Sequence, residues 1–305
     1  MHEPTAMWSP PQRDPELHPD QVIGGRYRVI RQLADGGMGT VYLAEHVLLR
    51  RRRAVKVLHA ELAADNAMVR QFLREASAAG TLGHPHLVRS TDMGVTPAGL
   101  PYIVFEYLDG VLLTQEIYRL GGLPVARAVE LAGQIAAALA AAHDARIVHL
   151  DLKSDNVLLV GHGAQLGHGP QVDQVKVLDF GIARFLDAEL DVARRGVVSG
   201  TPEYISPEQI RTPDRVDARA DIYALGVILY EMLTARRPFP SADAQTTLRR
   251  VLHEPPSPLG REVPPALARL IFGGMLAKSA AHRVPSMRAV EATLAAIRAG
   301  DAPRA

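Results

Sequence analysis

The sequence predicts an α+β chain in two parts, a small β-rich one carrying one main helix and a larger, mainly α-helical one. β-Formers are concentrated early, at 27–33, 41–44, 54–58 and 102–106, and a single helical pattern, about 67–82, lies among them. Beyond residue 113 the pattern is helical almost throughout. It is interrupted by two short apolar runs, 157–160 and 175–178, that read as a strand pair.

Taken in order, the first 22 residues hold five prolines and little periodicity, which predicts a flexible arm over 1–24. The stretch Leu33-Ala34-Asp35-Gly36-Gly37-Met38-Gly39-Thr40-Val41-Tyr42 lies between β-formers and so reads as strand–turn–strand. Gly36, Gly37 and Gly39 leave the backbone free of Cβ atoms where phosphate oxygens could approach. Arg50 to Arg53 precede a strand and read as a solvated hairpin turn rather than an acidic-partner patch. The strand 54–58 is apolar apart from Lys56, and a buried lysine is costly without an anion. Glu75, in the helical stretch that follows, is the expected partner. The run 102–108 is apolar and ends at Asp109-Gly110, a turn.

In the larger part, helices are predicted over 113–119, 124–145, 221–233, 242–252, 265–276 and 286–299, the second of them rich in alanine, the strongest helix former. Between the two short strands, residues 161–174 are Gly- and His-rich and read as a loose excursion. His162 and His168 there have no carboxylate or cysteine neighbours to make a metal site.

Composition narrows the class. Hydrophobic content of 47% with 22% charged residues is globular, and a formal net charge of +1 gives no general attraction to nucleic acid or anionic membrane. The absence of cysteine excludes disulfides and thiolate metal sites and fits a cytoplasmic location. No apolar run is seen to approach the roughly 20 residues that span a bilayer, and residues 1–18 lack the apolar core of a secretory signal. Of 34 basic residues only Lys56, Lys153, Lys176 and Lys278 are lysines. A retained lysine marks a place where a compact point charge serves and a planar guanidinium does not.

The chemistry concentrates in His149-Leu150-Asp151-Leu152-Lys153-Ser154-Asp155-Asn156 and in Asp179-Phe180-Gly181. The strand pair between them returns the second aspartate towards the first. One Asp can accept a proton, a Lys and an Asn stand beside it, and another Asp is available to a metal. These are parts that phosphoryl transfer from a nucleotide requires, since its catalysis is mostly positioning and charge neutralisation.

With these motifs in place the chain resembles the bacterial, eukaryotic-like Ser/Thr protein kinases over about residues 25–299. The Gly-rich loop (36–39), Ala54-Val55-Lys56, Glu75, the loop 149–156, Asp179-Phe180-Gly181, the segment 200–208 and Asp221 to Gly226 recur in that family's order. The resemblance implies a bilobal protein kinase fold, with an N-lobe over 25–106, a hinge at about 106–110, a C-lobe over 107–300, an activation segment over 179–208 and a tail at 301–305. It implies ATP with Mg²⁺, for which Mn²⁺ can stand in, as cofactors, and Ser or Thr hydroxyls of proteins as acceptors.

Residue roles follow from the same likeness. Lys56, oriented by Glu75, holds the α/β-phosphates; Asp179 and Asn156 hold metal; Asp151 receives the substrate proton; Lys153 neutralises the γ-phosphoryl group; and Thr201 braces Asp151 and Lys153. Leu33, Ala34, Gly36, Gly37, Gly39, Val41, Ala54, Phe105, Glu106, Leu108 and Leu158 surround the nucleotide, with backbone groups of Glu106 and Leu108 on the adenine edge. Arg283 pairs with Glu208. His149 and Phe180 are packed scaffold, and Asp221 caps its helix and bonds the catalytic-loop backbone. Relatives often pair through the small lobe, which sets a weak expectation of a homodimer. They also often continue into a membrane anchor, and one beyond residue 305 is left open.

The chain departs from the family at three points. Ala34 replaces the first glycine of the lid, Leu150 replaces the Arg that receives an activation-loop phosphate, and residues 180–198 contain no Ser, Thr or Tyr. The last two fit each other and predict activity without phosphorylation of that loop, with Ser199 and Thr201 the remaining acceptors. Two other readings compete: a pseudokinase that binds nucleotide without turnover, and a small-molecule phosphotransferase. The full set Lys56, Glu75, Asp151, Lys153, Asn156 and Asp179 disfavours the first, and the intact segment 200–208 disfavours the second.

Overall fold

The computed structural model describes residues 17–161, 173–179, 184–185 and 201–300. Expectations for residues 1–16, for the excursion with His162 and His168, for Phe180 and Gly181, for Ser199 and for the tail 301–305 lie outside them. The chain divides into two compact units. One holds the chain up to Thr81 with Arg89–Leu108, and the other holds Leu82–Val88 with the chain from Asp109 onward.

In the smaller unit the alternating apolar runs become strands β1 (Val22–Ile23), β2 (Tyr27–Asp35), β3 (Gly39–His46) and β4 (Arg52–Leu58). Two helices follow, α1 (Ala60–Ala63) and α2 (Asn66–Thr81), then β5 (Ser90–Val95) and β6 (Pro101–Glu106). The six strands form one sheet in the order β1-β2-β3-β4-β6-β5, antiparallel at every pairing. Val29, Tyr42, Val55, Tyr102 and Val104 form its buried core. β5 alternates half-buried and exposed residues, as an edge strand does. Of the arginine run expected to form a turn, Arg50 and Arg51 do so between β3 and β4 while Arg52 and Arg53 open β4; Arg50 is exposed, in the left-handed region (φ 52°) and paired to Glu45 at 3.0 Å.

The larger unit opens with β7 (Gly110–Leu112), α3 (Leu113–Leu120) and α4 (Val125–Asp144). β7 is a strand that the sequence reading took for the hinge turn. It pairs with β9 so closely that a Cβ on Gly110 would stand 2.3 Å from the Leu159 carbonyl. α3 stops at Gly121, whose φ of 69° is the left-handed cap that glycine adopts without strain. β8 (Ile147–Val148), β9 (Val157–Val160), β10 (Gln174–Val177) and β11 (Arg184–Phe185) follow, and β9 and β10 are the predicted antiparallel pair. The chain then forms α5 (Pro207–Arg211), α6 (Arg219–Thr234), α7 (Ala244–His253), α8 (Pro265–Arg269) and α9 (Met287–Ala299). α7 and α9 are capped by Asp243, accepting from the Thr246 amide, and Ser286, accepting from the Ala289 amide.

Three expectations are corrected. Helix 265–276 is α only to Arg269, and Leu270–Met275 is π-helical, with the Leu276 amide on the Ile271 carbonyl. α4 is, by length and composition, apolar enough to cross a membrane, contrary to the sequence survey, and over half of it is buried against the rest of its unit, including α6 and α9. Residues 82–88, assigned to the small lobe, group with the larger unit because the Val88 amide donates to the Val177 carbonyl and the Val177 amide to His86.

The resemblance also pointed to Arg283 and Glu208, which form a bidentate pair at 2.6 and 2.7 Å. Arg283 is fully enclosed and also donates to the carbonyls of Arg219 and Ala277. Removing one partner of a buried pair leaves the other charge desolvated and unpaired. Arg283→Met should therefore destabilise the chain by about 3–5 kcal/mol, read as a fall in the urea midpoint; a change under ~1 kcal/mol would contradict the pairing's role.

Candidate active site

In the smaller unit a lysine in the middle of an apolar strand needs an anion, and it has one. Lys56 on β4 is buried and places Nζ 2.9 Å from both carboxylate oxygens of Glu75 on α2, itself fully buried. Val41 on β3 stands opposite Lys56, and Ala54 on β4 stands opposite Leu43 and Phe105. Leu33 and Ala34 lie near the end of β2, and Gly36 to Met38 form the turn, closed by the Gly36 amide on the Gly39 carbonyl at 3.1 Å. None of the three lid glycines has a positive φ. Gly39 is required by packing, since its Cβ would stand 2.2 Å from the Val57 carbonyl, whereas one on Gly37 would meet open space. The Glu106 amide is taken by the Arg89 carbonyl, so a contact from this residue to a base has to come through its carbonyl. Leu108 is the last residue of the unit.

In the larger unit one buried carboxylate organises the loop 149–156. Asp221 accepts from the amides of His149 and Leu150, each at 2.9 Å, and from His143 Nε2 at 2.8 Å. It does not cap its helix as expected. α6 starts at Arg219, whose amide is met by Asp217, and the Asp221 carboxylate is spent on the loop. The grip allows Leu150 a φ of 65°, a strained value for a branched side chain, while its carbonyl takes Gln209 Nε2. His149 is packed scaffold, with Nδ1 accepting from the Asp151 amide and Nε2 on the Leu178 carbonyl.

That scaffold presents the polar groups. Lys153 Nζ lies 3.0 Å from Asp151 Oδ2, and both side chains are partly exposed. Asn156 donates through Nδ2 to the Asp151 carbonyl at 2.8 Å, which leaves Oδ1 as the oxygen for a cation. The Leu178 amide donates to the Asn156 carbonyl, bringing Asp179, itself at φ 55°, back to the loop. Asp179 and Asn156 are hard oxygen donors suited to Mg²⁺, and two protein ligands are too few without substrate phosphates and water. Leu158 lies on β9, beyond Asn156. Thr201 lines a small cavity with Leu150, Asp151 and Tyr204.

Sequence reasoning missed a second buried network. Tyr204 donates to Glu231 at 2.7 Å, and Ser154, next to Lys153, meets both. Arg237 pairs with Glu231 and stacks over the Tyr204 ring at 4.6 Å. Burial pushes the Glu231 carboxyl up against the opposing pull of Arg237, and pushes the Tyr204 hydroxyl up as well. The one signal in the sequence was a Glu inside the apolar helix 221–233.

Known proteins place this arrangement in a class. The model of the protein kinase domain family matches residues 27–293. The serine/threonine-protein kinase Pkn1 of Myxococcus xanthus is 42% identical over 88% of this chain and 38% of its own length. The serine/threonine-protein kinase PknB of Mycolicibacterium smegmatis is 38% identical over 93% of this chain and 45% of its own, and PknA of Mycobacterium tuberculosis 37% over 92% and 63%. The chain belongs to the protein kinase domain family, among its bacterial Ser/Thr members. It spans between 38% and 63% of these relatives' lengths.

Burial alone would raise the Asp221 carboxyl, but the hydrogen bond and charge of His143 and the loop amides outweigh it, and the group is held below the usual carboxylate range. A depressed carboxylate contributes stability that is present above its unfolded pKa, about 3.9, and lost as pH falls through the folded one. Asp221→Asn should therefore destabilise the chain at pH 7 and flatten the fall in stability below about pH 4, measured by urea unfolding across pH. An unaltered acid limb would contradict this role.

Proposed function

We propose that this chain is an ATP-dependent Ser/Thr protein kinase domain that transfers the γ-phosphoryl group to Ser or Thr hydroxyls of proteins. The observation that carries the reading is the intact loop at Asp151, with Lys153 on its carboxylate and Asn156 tied to its carbonyl. Asp151 accepts the proton of the attacking hydroxyl and aims its oxygen, and Lys153 neutralises charge on the group in transit. Asn156 and Asp179 would hold Mg²⁺, which when bound would offset the charge of the phosphates. Lys56, fixed by Glu75, takes the α/β-phosphates. Names of relatives, each a serine/threonine-protein kinase, support the acceptor class. A cytoplasmic location for the domain fits the lack of cysteine.

Activity does not depend on phosphorylation within 180–198. That stretch has no hydroxyl side chain, and where the family has the phosphate-receiving Arg this chain has Leu150, beside Thr201, Tyr204 and Ile205.

Purified chain incubated with γ-labelled ATP, Mg²⁺ and a basic acceptor protein should transfer label to Ser or Thr. Asp151→Asn should reduce this by at least about 10²-fold while retaining nucleotide binding. ATP binding with no transfer by the wild type would instead mark a pseudokinase. Phosphatase-treated enzyme should keep its full rate from the first turnover; a lag relieved by autophosphorylation at Ser199 would overturn the second claim.

A further inference from the structure

The turn that the proposed function assigns to the phosphates is built from residues with little side chain to hold it. Gly36 and Gly37 are exposed and make no close packing. What closes it is a trio at its two ends and on the next strand. Asp35 is the last residue of β2, Thr40 the second of β3, and the two are partners across the hairpin. Thr40 Oγ1 donates to Asp35 Oδ1 at 2.7 Å. His59, the residue after β4, places Nε2 3.1 Å from the same oxygen and 3.3 Å from Thr40 Oγ1. The His59 amide also donates to the Met38 carbonyl at 3.1 Å, so the backbone on the far side of the turn is held from the same residue.

From this geometry we infer that Asp35, Thr40 and His59 are positioning residues that clamp the phosphate lid in its binding shape, an inference resting on the nucleotide-binding reading above. Their side chains bond to one another across the hairpin, and they act through the lid backbone that joins Asp35 to Gly36 and Thr40 to Gly39. The Thr40 and His59 contacts hold the Asp35 carboxyl below its usual range, in keeping with an anion kept as acceptor of both bonds. As a mere surface cluster the trio would matter little, because exposed pairs contribute little to folding. As a clamp its effect appears elsewhere: a loop fixed before binding loses less freedom on taking its ligand.

The test compares Thr40→Val, which removes the donor and keeps the shape, with Thr40→Ser, which keeps the donor. Thr40→Val should raise KM for ATP about three- to tenfold, the scale of one or two lost hydrogen bonds, with kcat within about twofold. Thr40→Ser should restore the wild-type KM. In the nucleotide-free protein, amide exchange at Gly36 to Gly39 should quicken in Thr40→Val and not in Thr40→Ser, while β6 keeps its protection. Equal KM and equal lid exchange in Thr40→Val and wild type would overturn the clamp. Loss of exchange protection across the whole sheet would reassign Thr40 to folding and overturn it too. If wild-type chain binds no ATP·Mg²⁺ by calorimetry, the functional reading fails, and lid exchange in the free protein still decides whether the clamp exists.

Discussion

Taking a carboxylate out of water costs several kcal/mol unless its oxygens find donors inside, and a fully buried Asp221 meets that condition with two loop amides and a histidine. The interaction works in both directions. The loop 149–156 contains polar groups that must be aimed, and a loop of this kind has little apolar surface with which to fix itself. Anchored at His149 and Leu150, it can hold Leu150 in a left-handed conformation and carry Asp151, Lys153 and Asn156 beyond that point. β9 and β10 then return Leu178 to the Asn156 carbonyl, so the residue proposed for metal depends on the same anchor. The buried Ser154–Tyr204–Glu231–Arg237 network ties the other side of the loop to the segment after Thr201.

The smaller unit solves its own version of the problem. Lys56 lies in a strand whose neighbours are apolar, and its charge is tolerable only because Glu75 reaches it from α2. Such a pair contributes modestly to stability, since desolvation offsets most of the attraction. Its worth is that the ammonium stands in one place, which suits a group proposed to meet phosphate.

Much of this was legible in the sequence where a residue conflicted with its surroundings. Lys56 in an apolar strand demanded a partner, and Glu75 is that partner. The strand pair around the Gly- and His-rich excursion was readable from two apolar runs, and the two strands do pair. Legibility failed where elements are short or where a contact spans distant positions. β7 has three residues, too few for a periodic signal, and looked like the end of a turn. Asp221 was expected to cap its helix and to bond the loop backbone; the loop bonds hold, and only the fold shows that Asp217, not Asp221, meets the Arg219 amide. Glu231 joined an apolar helix with no local hint that Tyr204 and Arg237 would enclose it. Lys176 and Lys278 also act as point donors: Lys176 donates to the Leu87 carbonyl, and Lys278 to the Val251 carbonyl over the Phe239 ring. Retained lysines here mark single-point donors in confined places.

If the loop 149–156 is held by its backbone from Asp221, native-state hydrogen exchange at two amides reports it directly. Those of His149 and Leu150 should be protected to nearly the level of the α6 interior, opening only when the larger unit unfolds. Exchange at the rate of an open surface loop would contradict the account.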